Sequence, residues 1–181
     1  MRIERLRQAY DIDVEWVPFP LHPETPAEGR ALTDLFPGRD VDAMYAQMKA
    51  LMEEQGLPYG RRTHTYNSRL AQELGRWADT RPGGEALHDA LYRAYFVDAR
   101  NVGDPEVLLD VVESVGLDRD AARTVLEERS FRDTVDQDWA LSRAYGITGV
   151  PTFVAEGRGV VGAQPYEVLE ELLAEAGAKP R

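Results

Sequence analysis

The stretch Ile147-Thr148-Gly149-Val150-Pro151-Thr152-Phe153-Val154 constrains this chain more than any other. It reads as a short loop entering a β-strand, with proline as the strand's first residue. Proline loses no ladder hydrogen bond there, whereas in a central strand position it would. The β-branched and aromatic residues behind it favour extended structure. Two isomers of the Val150–Pro151 bond fit the pattern. Pattern alone favours a trans proline that starts the strand, since only about 5–6% of X-Pro bonds in folded proteins are cis. A cis bond would turn the carbonyl and N–H of Val150 outward, available to an extended ligand by strand-type pairing.

The flanking segments read as an α/β layer. Ser130 to Asp133 is a short-armed capping box opening a helix with Phe131, Val135, Trp139 and Tyr145, which Gly146 ends. Glu156-Gly157-Arg158-Gly159 is a tight hairpin turn into Val160-Val161-Gly162. Pro165 begins a last helix carrying Val168, Leu169, Leu172 and Leu173, ended by Gly177. At the other end, Met1 to Tyr10 is helical, with Ile3, Leu6 and Tyr10 on one face. Asp11 to Phe19 then alternates as a strand does, with Ile12, Val14 and Trp16 on one side, and is stopped by Pro18 and Pro20.

Between these parts the pattern changes to helices. After a proline-punctuated loop from Leu21 to Gly29 and a short helix before Pro37-Gly38, Asp40 caps a segment that runs to Gly56. Val41, Met44, Tyr45, Met48, Leu51 and Met52 keep helical spacing along it. Three of the chain's four methionines lie on that stripe. It fits ordinary core packing better than an adaptable groove for a peptide or small ligand. Asn67 reads as the N-cap of a helix with Leu70, Leu74 and Trp77. Another helix carries Leu87, Leu91, Ala94 and Tyr95. Asp104-Pro105-Glu106 combines an N-cap, proline at N1 and an acid in the first turn. That helix, with Leu108, Val111 and Val112, stops at Gly116, and Asp118 starts the next. The expected organisation is residues 1–39, a helical insertion over 40–129, and residues 130–181.

Composition excludes more than it selects. The net charge of -11 opposes binding to nucleic acid or an anionic membrane. No apolar run is long enough for a bilayer and no signal-peptide pattern is present, so the expected compartment is the cytoplasm. The chain has no cysteine. His22, His64 and His88 form no metal-ligand spacing, and no Walker loop, Gly-x-Ser-x-Gly elbow or dinucleotide fingerprint exists. Taken alone, these residues identify only a soluble α/β domain.

The same residues resemble a known family. Ile147 to Phe153 followed by Gly162-Ala163-Gln164-Pro165 is similar to the cis-proline loop and C-terminal half of DsbA-family proteins, the FrnE-like branch in particular. Val14 to Pro23, Asn67-Ser68, Tyr95-Phe96 to Asn101, and Gly103 to Leu108 match further features in the right order. The resemblance implies a thioredoxin-like α/β fold with an inserted all-helical domain, and protein thiol-disulfide oxidoreductase or isomerase activity on a peptide or protein thiol. In that family a first strand delivers a Cys-x-x-Cys pair to a helix N-terminus, where the dipole favours a thiolate. Here Met1 falls inside that helix, so the first central strand and its cysteines are expected to be missing.

Three explanations follow. The recorded chain starts late; or it is completed by another chain's strand, giving a dimer by strand exchange; or it folds around the gap as a non-catalytic binding module. The first is preferred, because the remaining segments show no compensating change. With no cysteine, the chain is expected to hold no catalytic residue of its own. The resemblance assigns substrate binding to Gly149, Val150 and Pro151, with Phe19 and Leu21 as walls and Asn67 beside them. No cofactor or metal is implied. The alternative is a glutathione-dependent isomerase or transferase of the kappa and hydroxychromene-carboxylate isomerase type, in which glutathione would be bound.

Overall fold

The computed structural model describes residues 2–181. In chain order the elements are α1 (Arg2–Ala9), β1 (Tyr10–Asp11), β2 (Arg30–Ala31), α2 (Leu32–Leu35), α3 (Val41–Glu54), β3 (His64–Thr65) and α4 (Arg69–Ala78). There follow α5 (Ala86–Phe96), α6 (Pro105–Ser114), α7 (Arg119–Glu128), α8 (Arg132–Ala144), β4 (Thr152–Ala155), β5 (Arg158–Val161), α9 (Tyr166–Glu175) and β6 (Lys179–Pro180). The chain divides into two compact units. One holds residues up to 21 together with 136–181, and the other holds 22–135.

The unit of residues 22–135 is helical, and its core is continuous. Leu74, Trp77, Leu87, Leu108, Leu109 and Val112 are each no more than 1% exposed. They come from α4, α5 and α6, and α7 adds Ala122, Val125 and Leu126 to the same cluster. The helix boundaries follow from local chemistry. Asp104 Oδ1 accepts the Glu106 N–H at 2.9 Å, with Pro105 at the first helical position. Asp118 Oδ1 accepts from both Asp120 N and Ala121 N at 2.9 Å. Close backbone approach fixes the α4–α5 turn: a Cβ on Gly84 would lie 1.8 Å from the Ala78 carbonyl oxygen, so glycine is required there.

Three expectations fail in this unit. Residues 22–39 belong to it rather than to an N-terminal portion, and so do 130–135. The reason is hydrogen bonding: β2 pairs antiparallel with β3, Leu32 N–H donates to the Thr63 carbonyl, and Asn101 Nδ2 donates to the Ala27 carbonyl. Second, the methionine stripe is not core. No residue of α3 is buried, and Met48 and Leu51 are 43% and 49% exposed. Third, α8 begins at Arg132, two residues after Ser130. Arg129, in a left-handed conformation (φ 54°), ends α7 immediately before. The short gap leaves no room for the expected capping box.

In the other unit, β4 and β5 form a hairpin with Ala155 opposite Arg158. Glu156 and Gly157 both have positive φ, 47° and 75°, as a two-residue primed turn demands. Leu169 and Leu172 of α9 are buried. Tyr10–Asp11 pairs with Lys179–Pro180. The strand expected over Asp11 to Phe19 is not formed: residues 12–20 are neither helix nor strand. An apolar alternation becomes a strand only where a second backbone forms a ladder with it. Among the described residues the ladders are three two-stranded pairs that leave this segment out. Met1, the residue on which the expected late start turned, lies outside the described residues. No helix is long and apolar enough to cross a membrane among the described residues.

Candidate functional site

Gly146 (φ 66°) ends α8: its N–H donates to the Arg143 carbonyl and the Ile147 N–H to that of Ser142. The chain is thereby released into Thr148-Gly149-Val150-Pro151. The Val150–Pro151 peptide bond is cis. Thr152 Oγ1 donates to the Gly149 carbonyl at 2.7 Å, closing the loop on its own backbone. On the far side, Gly162 N–H donates to the Pro151 carbonyl at 2.7 Å, which extends the β4–β5 pairing by one bond. Gln164 Nε2 then donates to the Val161 carbonyl at 2.5 Å. Gly162 thus ties the proline loop directly, while Gln164 braces the turn at Val161 and Gly162 that presents it. Thr152 and Gln164 were not foreseen as positioning residues. Their signal was only a hydroxyl and an amide within hydrogen-bonding reach of a turn.

The loop presents apolar surface to solvent. Val150 is 50% exposed and Pro151 is exposed as well, with Gly149 half-buried. Leu21, in the same unit, is 52% exposed, and Phe19 is partly buried. The Leu21 N–H donates to the Phe19 carbonyl at 3.1 Å, so those two residues share a tight turn. Five of the six residues assigned to substrate binding therefore lie in one unit.

Asn67 lies in the other unit, and its side chain is occupied. Nδ2 donates to the carbonyls of Thr25 (2.8 Å) and Pro23 (3.3 Å), while Oδ1 accepts the Arg69 N–H at 2.9 Å. It is not the N-cap of α4. Ser68 holds that position without a side-chain cap bond, and Asn67 caps from one residue earlier. One amide thus ties the start of α4 to the 23–25 loop.

No group of three or more His, Asp or Glu residues among the described residues could hold a metal ion. His88 Nε2 and Asp79 Oδ1 lie 2.7 Å apart, and His64 Nδ1 meets Thr63 Oγ1 at 2.9 Å. Each is a local pair on the helical unit.

The DSBA-like thioredoxin domain profile matches residues 1–174. The uncharacterized protein YwbO of Bacillus subtilis is 29% identical over 93% of this chain and 84% of its own. The crystal structure of a probable DsbA oxidoreductase from Streptomyces coelicolor superposes with a TM-score of 0.87 at 32% identity, over 97% of this chain and 82% of that one. A 2-hydroxychromene-2-carboxylate isomerase shares the fold, with a TM-score of 0.69 at 17% identity, over 97% of this chain and 85% of that one. With a mixed helix–strand architecture, an inserted helical unit and a proline-led hairpin, the chain belongs to the DSBA-like thioredoxin domain family.

Proposed function

We propose that this chain carries the substrate-binding part of a DsbA-like protein thiol-disulfide oxidoreductase or isomerase. The observation that carries this is the loop with exposed Val150 and Pro151, held at the Gly149 carbonyl by Thr152 and at the Pro151 carbonyl by Gly162, in a chain of this family. The backbone of Val150 pairs with an extended peptide or protein substrate as an added strand does. Phe19 and Leu21 supply apolar walls. Asn67 acts indirectly, by holding the 23–25 loop, because its hydrogen-bonding groups are committed.

The exchange step needs a thiolate that attacks a disulfide sulfur, expels the second sulfur as thiolate and leaves a mixed disulfide. With no cysteine in 181 residues, this chain cannot supply that nucleophile. In this proposal a Cys-x-x-Cys pair resides on a segment outside these residues, and no cofactor is required. Apolar surface at Trp16, Val17 and Val154 supports the idea that more chain packs on this unit, each being at least 38% exposed. Strand exchange between two copies is the competing way to cover it.

An insulin-reduction assay tests the proposal. The 181-residue chain should be inert. The chain extended by its upstream coding sequence should be active, and Val150→Asp should impair that activity. Turnover by the 181-residue chain, or an upstream sequence without a thiol pair, overturns it. The shared fold with the isomerase favours a second reading, a glutathione-dependent isomerase or transferase. The upstream coding sequence separates the two, since a Cys-x-x-Cys pair there belongs to the first and a serine in its place to the second.

A further inference from the structure

A recess in the helical unit is built from residues that the proposed thiol chemistry does not use. It encloses about 400 Å³ and is lined by Arg39, Arg61 and Arg62 together with Asp40, Asp42 and Tyr45. Three arginines lining one small recess stand out in a chain of net charge -11. Both acids are already engaged. Asp42 Oδ1 pairs with Arg61 Nη2 at 2.5 Å, and Asp40 Oδ1 accepts the Ala43 N–H at 2.9 Å.

The other two arginines are not neutralised by a carboxylate. Arg39 is exposed, and its guanidinium has no hydrogen bond or ion pair among the described residues. Arg62 Nη1 donates to the Tyr95 hydroxyl, and its guanidinium lies 4.5 Å from the centre of the Tyr95 ring and 5.1 Å from that of Phe96. Its Nε–H is buried without a partner among the described residues.

The segment that presents Arg61 and Arg62 is held rigidly. Gly60 N–H donates to the Phe96 carbonyl at 2.8 Å, and a Cβ on Gly60 would lie 1.8 Å from the Val97 carbonyl oxygen. At its other end, the Thr63 carbonyl accepts the Leu32 N–H at 2.9 Å. The backbone that carries Arg61 and Arg62 is therefore positioned before any ligand arrives, which lowers part of the ordering cost of binding. Leu32 and Val41 join the Tyr45 ring in the lining, so it also has an apolar part.

We propose that this recess binds a small organic carboxylate, its anionic head on Arg39 and Arg62 and its apolar or aromatic body against Tyr45 and Val41. Planar guanidinium matches planar carboxylate. Three arginines less two aspartates leave a local charge of one, which suits a singly charged head better than a phosphate dianion.

The test is titration of the 181-residue chain with benzoate, acetate and inorganic phosphate, followed by amide chemical shifts of residues 39–45 and 60–63. Saturable benzoate shifts there are expected, with acetate at least about tenfold weaker because it lacks the apolar contact. Arg39→Gln should weaken benzoate binding about tenfold with an unchanged circular dichroism spectrum, as that side chain supports nothing else. Arg62→Gln should do the same where it folds. The proposal is overturned by any one of four results: no saturable shifts at these amides, acetate as tight as benzoate, phosphate tighter than benzoate, or no weakening in Arg39→Gln. None of these readouts depends on thiol activity, so the oxidoreductase reading can fail without touching this one.

Discussion

Glu73 on α4 has no exposed surface, yet it is charged. Its Oε1 accepts from Arg69 Nε at 2.6 Å and Arg129 Nη2 at 2.7 Å, and its Oε2 accepts from Arg129 Nε at 2.8 Å. Burial pushes its carboxyl up, but the Arg129 and Arg69 guanidiniums more than offset this and hold it below the ordinary glutamate value of 4.5. A lowered folded-state value means that the contribution to stability is complete above pH 4.5 and is lost as pH falls through the lower value. Glu73→Gln leaves the two guanidiniums facing a neutral amide, and should cost about 3 kcal/mol in urea denaturation at pH 7. The variant should also lose less stability than the parent between pH 4.5 and more acidic conditions. Nothing in the sequence marked this residue, because an Arg–Glu pair four apart on a helix usually lies in solvent. Thr25 poses the opposite case. It is 3% exposed and its hydroxyl has no partner among the described residues. Thr25→Val removes an unmet polar atom at constant shape and should stabilise by about 1 kcal/mol in the same assay.

At the scale of elements, two helices with similar apolar stripes ended in different places. Leu108, Val111 and Val112 of α6 are buried, whereas no residue of α3 is. Spacing tells which face of a helix is apolar, but not whether another element covers it. Leu108→Ala should therefore cost about 2–5 kcal/mol, and Leu51→Gln should stay within about 0.5 kcal/mol, both read as shifts in the denaturation midpoint. Equal losses would mean that α3 is covered in solution. The same principle explains why the β4–β5 hairpin was legible and the Ile12 to Phe19 strand was not. Glu156-Gly157 supplies its own turn chemistry and brings the two strands together, with Gly157 at φ 75°. A lone alternating segment depends on a partner that local sequence cannot name. Gly157→Ala should destabilise by about 1 kcal/mol, since the left-handed region strains any residue with a Cβ.

At the scale of the whole molecule, the two units differ most in how much each buries. The helical unit has one continuous core from α4 to α7. In the other unit the buried apolar residues, among those described, are Leu6, Leu169 and Leu172. The existence of a helical insertion was readable from the change of period along the chain. Its edges were not, because hydrogen bonds such as Asn67 to Thr25 and Asn101 to Ala27 draw residues 22–39 into it, and such long-range partners leave no local trace. Local opening free energy follows buried apolar area, so the two units should not open together. In hydrogen–deuterium exchange, amides of α4, α6 and α7 should be the slowest. Those of β4, β5 and α9 should exchange at least about a hundredfold faster, which corresponds to an opening energy lower by roughly 3 kcal/mol. Any chain segment that packs onto the proline-led hairpin adds apolar burial there and should slow β4 and α9 selectively, with α6 unchanged. If instead all helices and strands exchanged at one common rate, the 181 residues would be a single cooperative unit, and the thin core around Leu169 and Leu172 would not govern its opening.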